Sequence, residues 1–389
     1  MGGGSGGHVT PVVAVLSEIK KIDKDVKIRF WCDKKFYNQA KNVMKSFDPD
    51  LEVSRISSGK FRRYHGIPWY SQARHLDVLW ANFSDLFRTG WGFLESVAKL
   101  LLWRPDVVFT KGGFVCLPVG LAARALNIPL VIHDSDAHPG LTNRILSRFA
   151  TKIATGAPLK YYPYDKTKAK HVGVPIADTF KRYSSLEKDS FKEELGFKKE
   201  RKLILVTGGG LGAKRMNDAV SAIYKELVKK SDLILIAGRD QYEELRKKMG
   251  KDTEHFRLYP FVAKDMWKML AASDIVVTRA GATTLLELAA LAKATLIIPN
   301  GLLTGGHQLK NTNVYKEAGA VYVLGDFEIA EKPEVLLHTL IEMIDNELDK
   351  KERVNPFFLP YDTPHDTVPF DRITLADYEE AMMEGIRRD

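Results

Sequence analysis

Leu203-Ile204-Leu205-Val206-Thr207-Gly208-Gly209-Gly210-Leu211-Gly212-Ala213 runs from a short apolar stretch straight into four glycines in five positions. A bounded apolar run of this length reads as a buried strand. The glycines let the backbone turn tightly and approach a ligand closely, and a helical pattern follows. An ordinary strand-to-helix turn seldom needs four glycines, so the stretch reads as a phosphate or nucleotide loop.

The same scheme recurs on both sides. Leu233-Ile234-Leu235-Ile236-Ala237 meets Gly238, Asp274-Ile275-Val276-Val277-Thr278 precedes Gly281, and the run from Ala294 to Pro299 is the last clear strand. Upstream, Arg104 to Thr110 leads into Lys111-Gly112-Gly113, Leu117 to Leu126 reads as a short helix, and Ile128 to His133 is another strand. Short apolar strands alternating with helices predict an α/β protein with parallel sheets, whose ligands bind at the carboxyl ends of the strands.

A chain of 389 residues is long enough for two domains. The seam falls near Val174-Pro175 and the polar run after Tyr183, giving domains at 1–175 and 176–350. Residues 351–389 form a tail that could return to the first domain, rich in proline and aromatics at first, with a final helix from Thr374 to Arg387. The loop-like Gly2 to His8 has no strand before it, so the first sheet is expected to be one strand short. No apolar run approaches the roughly 18 residues of a membrane span. The first residues lack a signal-peptide pattern, and two cysteines imply no disulfide framework. Residues 1–180 carry 26 Lys and Arg against 15 Asp and Glu, whereas the rest carry 32 against 34. The basic first half suggests an anionic partner, and composition alone does not choose among phospholipid, nucleic acid and phosphorylated substrate.

Several motifs sit at predicted strand ends. Gly6-Gly7-His8 precedes a helical pattern from Pro11 to Lys20, a candidate anion loop or merely a glycine-rich terminus. Arg279-Ala280-Gly281-Ala282-Thr283-Thr284-Leu285-Leu286-Glu287 opens a helix whose free N–H groups suit a diphosphate. Glu287 lies one turn inside and suits the two hydroxyls of a ribose. Thr284 to Glu287 equally fits a capping box, in which the carboxylate serves only the backbone. Gly305-Gly306-His307-Gln308 starts another helical run, where Gln308 suits sugar hydroxyls or is an ordinary polar helix start. From Lys60 to Leu102, Arg62, Arg63 and Arg88 are interleaved with Trp69, Tyr70, Trp80, Phe83, Phe87 and Trp91. Basic residues beside tryptophans suit a lipid headgroup zone, against the alternative that the aromatics are core.

As a set, the motifs Gly3 to His8, Gly112-Gly113-Phe114-Val115, Ile132-His133, Pro139 to Arg144, Gly208-Gly209 to Asn217, Arg279 to Thr284, Glu287 and His307-Gln308 resemble the MurG family of glycosyltransferases. The likeness runs from residue 2 to about residue 325. It implies a GT-B fold, two Rossmann-like domains facing across a cleft. It also implies inverting transfer of N-acetylglucosamine (GlcNAc) from UDP-GlcNAc to undecaprenyl-diphosphate-linked N-acetylmuramoyl-pentapeptide, the step from lipid I to lipid II. Such an enzyme works peripherally at the cytoplasmic face of the membrane.

The resemblance places Gly209, Gly210, Arg279, Gly281, Thr283, Thr284, Glu287, His307 and Gln308 around the donor. Gly6, Gly7, Gly112, Gly113 and Asp134 fall on the acceptor side, with His8 first and Asp136 next as base. No His/Cys cluster has metal-ligand spacing, so no metal or other cofactor is expected. The sequence departs from the family at His133-Asp134-Ser135-Asp136, where His-Glu-Gln-Asn is usual, at Ala177 in place of an arginine, and at Gly210-Leu211 in place of Ser-Gln. Rival readings are a UDP-sugar epimerase of the same fold and a non-catalytic membrane-bound subunit. Nucleic-acid binding would leave the glycine loops unexplained.

Overall fold

The computed structural model describes residues 1–2, 6–60, 76–209, 212–262, 265–300 and 306–345. They form two compact units that part after Ala177.

The first unit runs α1 (Gly6–Ile22), β1 (Arg29–Asp33), α2 (Tyr37–Phe47), β2 (Glu52–Ile56), α3 (Leu76–Trp103), β3 (Val108–Thr110), α4 (Cys116–Ala125), β4 (Leu130–Asp134), α5 (Leu141–Leu146), β5 (Lys152–Thr155) and β6 (Ala169–His171). β3 to β6 pair in parallel in chain order, and β1 pairs in parallel with β2 alone. Among the described residues no strand joins the two sheets. Met1 sits at the carboxyl end of β3, its ammonium donating to the Phe109 carbonyl at 2.9 Å and its carbonyl accepting from Lys111 N–H at 3.0 Å.

α1 begins earlier than the sequence suggests. Gly6, Gly7 and His8 form its first turn and do not form a loop before it. The buried stripe Val9, Val12 and Leu16 packs on Phe30 and Cys32 of β1, so apolar burial favours helix upstream of Pro11.

α3 is amphipathic in the reverse sense. Its buried line is Asp85, Thr89, Gly92, Ser96 and Leu100, small or polar until the last. That line lies against residues 57–59, where Gly59 N–H donates to Thr89 Oγ1 at 3.2 Å and Ser57 N–H to Glu95 Oε2 at 3.0 Å. Contact is so close that a Cβ on Gly92 would lie 1.8 Å from the Ser57 carbonyl oxygen. The opposite face carries Trp80, Phe83, Phe87 and Trp91, and Trp80 and Trp91 are 72% and 66% exposed. No helix among the described residues is long and apolar enough to cross a membrane.

The second unit continues with α6 (Ser185–Glu194), β7 (Leu203–Thr207), α7 (Lys214–Lys230), β8 (Asp232–Ile236), α8 (Tyr242–Met249), β9 (Phe256–Tyr259), α9 (Met266–Ala272), β10 (Ile275–Thr278), α10 (Ala282–Ala290), β11 (Ala294–Ile297), α11 (His307–Glu317), β12 (Tyr322–Val323), α12 (Asp326–Glu331) and α13 (Pro333–Asp345). Its six strands are parallel in the order β12-β11-β10-β7-β8-β9. Every residue of β7 and β8 is buried, as central parallel strands require. Ile204 and Val206 point into a core with α7, α8 and α13, while Leu203 and Leu205 point into another with α9 and α10. Helices thus cover both faces.

Candidate active site

The strand order of the second unit reverses between β7 and β10. From β7 the chain winds outward to β8 and β9, then returns to β10 and winds the other way. At such a switch point the loops leaving the two strands diverge and open a crevice beyond their carboxyl ends. Gly209 follows β7 there, and Gly281 follows β10.

The glycines of the β7 loop have a structural cause. Gly209 and Gly212 hold φ of +81° and +75°, a region costly for residues with a Cβ. A Cβ on Gly212 would lie 2.2 Å from the Ala237 carbonyl oxygen. Asn217 of α7, fully buried, ties the same carbonyl to Gln241 through its amide, at 2.8 Å each. Gly210 lies outside the described residues.

Gly281 is the N-cap of α10, and its carbonyl accepts from Leu285 N–H, so Ala282, Thr283 and Thr284 make the first turn. Their N–H groups have no intrahelical partner and face the crevice end of the helix. Thr284 is inside the helix, so the capping-box reading of Thr284 and Glu287 does not hold. The Glu287 carboxylate accepts no hydrogen bond among the described residues. Burial alone pushes its carboxyl up to about 7.

Arg279 points elsewhere. Its guanidinium bridges the buried carboxylate of Asp326 at 2.7 Å and the Ile298 carbonyl at 2.9 Å, and Asp326 also holds Arg215 at 2.9 Å. These pairs fasten the ends of β10 and β11 to α12, which makes Arg279 a brace for the loop. On the neighbouring strand end, His307 opens α11 and Gln308 Oε1 accepts from Asn300 N–H at 2.7 Å. Asn311, one turn on, donates to the Ala280 carbonyl at 3.0 Å and joins α11 to the β10 loop. The carboxyl ends of β7, β10 and β11 therefore lie side by side along one sheet edge.

In the first unit the acceptor-side candidates gather at the ends of β3 and β4. Gly112 and Gly113 both have positive φ, +88° and +89°. Asp134 ends β4 and is buried. Its carboxylate accepts from Tyr164 OH at 2.7 Å, yet desolvation pushes it up to about 7. Asp136 is half-buried in the loop that follows, which Tyr162 OH pins by donating to the Asp136 carbonyl at 2.7 Å. Gly6 and Gly7 lie at the start of α1, and the His8 side chain lies outside the described residues.

Sequence reasoning passed over Lys111. It is fully buried, and its ammonium donates to Ser135 Oγ. The visible signal was a lysine closing an apolar strand just before two glycines.

Residues 1–155 match the glycosyltransferase family 28 N-terminal domain, and residues 203–357 match its C-terminal domain. The chain is 35% identical over 329 residues to a UDP-N-acetylglucosamine–N-acetylmuramyl-(pentapeptide) pyrophosphoryl-undecaprenol N-acetylglucosamine transferase of Lachnospira eligens, covering 83% of this chain and 84% of that one. It belongs to the MurG family. A second member, from Clostridium perfringens, is 31% identical over 349 residues and 89% of both chains. The crystal structure of Acinetobacter baumannii MurG superposes with a TM-score of 0.65 at 20% identity, over 98% of this chain and 96% of that one. With parallel sheets in two family 28 domains, the MurG-like fold is GT-B.

Proposed function

We propose that this protein transfers GlcNAc from UDP-GlcNAc to N-acetylmuramoyl-pentapeptide carried on undecaprenyl diphosphate, with inversion, at the cytoplasmic face of the membrane. The observation that carries the donor half is the row of strand ends of β7, β10 and β11, with the half-buried carboxyl of Glu287 behind the first turn of α10. A carboxyl that is half-buried and that no described residue bonds loses hydration without compensation. Ribose hydroxyls would supply the missing donors, while the N–H groups of that turn would face the diphosphate. Gln308 and His307 would face the sugar.

In the transfer, the acceptor C4 hydroxyl attacks C1 of GlcNAc. The bond from C1 to the phosphate oxygen breaks with its electron pair going to UDP, and a base takes the hydroxyl proton. His8 and Asp136 are the candidate bases. Charge growing on the departing UDP would be met by fixed backbone dipoles, which need no rearrangement during the step.

The outward face of α3 supports the membrane part of this reading. A helix that buries its polar line and exposes two tryptophans and two phenylalanines leaves apolar area in water unless something covers it. Tryptophan, with exposed Arg88 alongside, suits the headgroup boundary. The acceptor's lipid keeps it in the bilayer, so a surface-bound enzyme meets it there.

The test is incubation with UDP-GlcNAc labelled in the sugar and a short-chain lipid acceptor. Label should pass to the acceptor and stay on UDP without it. Sugar released or epimerised without acceptor would sink the transferase reading in favour of an epimerase.

A further inference from the structure

One buried carboxylate ties together the two helix starts that flank the switch point. Asp326 is the first residue of α12 and is buried. Its Oδ2 is 2.9 Å from Nη1 of Arg215, the second residue of α7, and its Oδ1 is 2.7 Å from Nη1 of Arg279, just after β10. Arg215 belongs to the helix that follows the β7 glycine loop, and Arg279 lies two residues before the N-cap of α10. The two guanidiniums thus follow adjacent strands, while the carboxylate comes from beyond β12, the edge strand two places from β10.

Each part of the tie has its own anchor. Ile329 of α12 is fully buried in the same core as Met216 of α7 and Ile298 after β11. Leu324 N–H, just past β12, donates to the Ile297 carbonyl at 3.1 Å and fixes the approach to α12. The Arg215 guanidinium lies over the Phe327 ring, 4.3 Å from its centroid, and Arg279 also donates to the Ile298 carbonyl at 2.9 Å. The carboxylate therefore cannot follow one arginine without disturbing the other.

We propose that Asp326 is a positioning residue for the donor diphosphate. Through Arg215 and Arg279 it sets the first turns of α7 and α10 against each other, so that the N–H groups of both address one pair of phosphates. Which ligand the turns address rests on the reading of these loops as the UDP site. Backbone donors hold an anion well where they converge on it, and a buried ion pair that fixes them beforehand removes the cost of bringing them together. Charge alone predicts something else. The trio carries one net positive charge, so removing Asp326 should strengthen attraction to UDP and removing Arg215 should weaken it. Positioning predicts that both changes weaken it.

The test measures UDP and uridine binding by calorimetry for wild type, Asp326→Asn and Arg215→Met, with affinities referred to the folded fraction read by circular dichroism. Wild type should bind UDP more tightly than uridine. Each variant should weaken UDP about tenfold, the worth of one hydrogen bond to a charged group, and leave uridine within about twofold. Asp326→Asn leaves the Arg279 guanidinium, 11% exposed, without its counter-charge, which costs stability. Arg215→Met leaves the Arg279–Asp326 pair whole, and Arg215 is 38% exposed, so this variant carries the test if the first does not fold. Its deficit relative to wild type should be the same at about 0.1 M and about 1 M salt, although the screening length falls from about 10 Å to about 3 Å. Tighter UDP binding by Asp326→Asn, or an Arg215→Met deficit that vanishes at high salt, would overturn positioning in favour of charge. Uridine weakened as much as UDP would make the tie a general support of the unit and overturn it too. Wild type that binds UDP no better than uridine would remove the diphosphate reading itself, and the positioning role with it.

Discussion

Glu287 joins stability and binding in one group. Its folded pKa, about 7, lies above the ordinary 4.5, so the folded state binds this proton more tightly than the unfolded one. The group's contribution is therefore most favourable at low pH and is lost as pH rises through 7. Glu287→Gln, which removes the charge at constant shape, should raise Tm at pH 8 and change it little at pH 5. Ribose hydroxyls, by contrast, donate best to a carboxylate. UDP affinity of the wild type should grow between pH 6 and 8, by at most about tenfold per unit below the midpoint, and flatten above it. Glu287→Gln should be weak and flat across that range. Calorimetry at four pH values decides, and a wild-type affinity independent of pH would remove the carboxylate from the donor site. A backbone counterpart is Gly212→Ala. Positive φ and the Ala237 carbonyl leave no room for its methyl, so it should cost about 1–3 kcal/mol and weaken UDP binding as the loop shifts. Denaturant unfolding and the same calorimetry check it.

At the scale of elements, α3 makes the sharpest demand. Among the described residues its exposed aromatics join none of the cores, so Trp80→Ser, Phe87→Ser and Trp91→Ser combined should leave Tm nearly unchanged. The same variant should lose most co-sedimentation with anionic vesicles, and wild-type binding should weaken with salt as the basic term is screened over about 10 Å at 0.1 M. Vesicle binding untouched by the three changes would mean that another surface docks. Gly92→Ala should do the opposite, destabilising the unit by pushing α3 off Ser57. What the sequence made legible follows from burial. β7, β8, β10 and β11 are mostly apolar and end near glycine or proline, so they stand out. β1, Arg29-Phe30-Trp31-Cys32-Asp33, has only three apolar residues between charges, and β2, Glu52-Val53-Ser54-Arg55-Ile56, has only two, set apart by polar ones, so neither has a long apolar run. β12 pairs through only two residues, too few to carry a period. Gly209 and Gly212 were readable because backbone geometry requires them. The Arg279–Asp326 brace was not, since the partners lie 47 positions apart and meet only through strand order.

On the whole-molecule scale, the charge asymmetry and the two sets of cores describe a division of labour. The basic half holds α3, and the nearly neutral half holds the glycine loops proposed for the donor. Gly209, Gly281, Thr283, Thr284 and Glu287 belong to the second unit, whose six-stranded sheet has its own core on each face. A ligand that binds one folded unit stabilises that unit by mass action, by about 2.7 kcal/mol at a hundred times its Kd. Scanning calorimetry of the full chain should therefore resolve two transitions, of which UDP raises one. Glu287→Gln should abolish that rise and leave the other transition in place. The donor contacts proposed here are backbone N–H groups, a carboxyl and an amide, so the UDP-induced rise should be the same with chelator as without it. A rise that appears only with added magnesium would place a cation between the diphosphate and the protein. Equal shifts of both transitions would show that the donor is not held by the second unit alone.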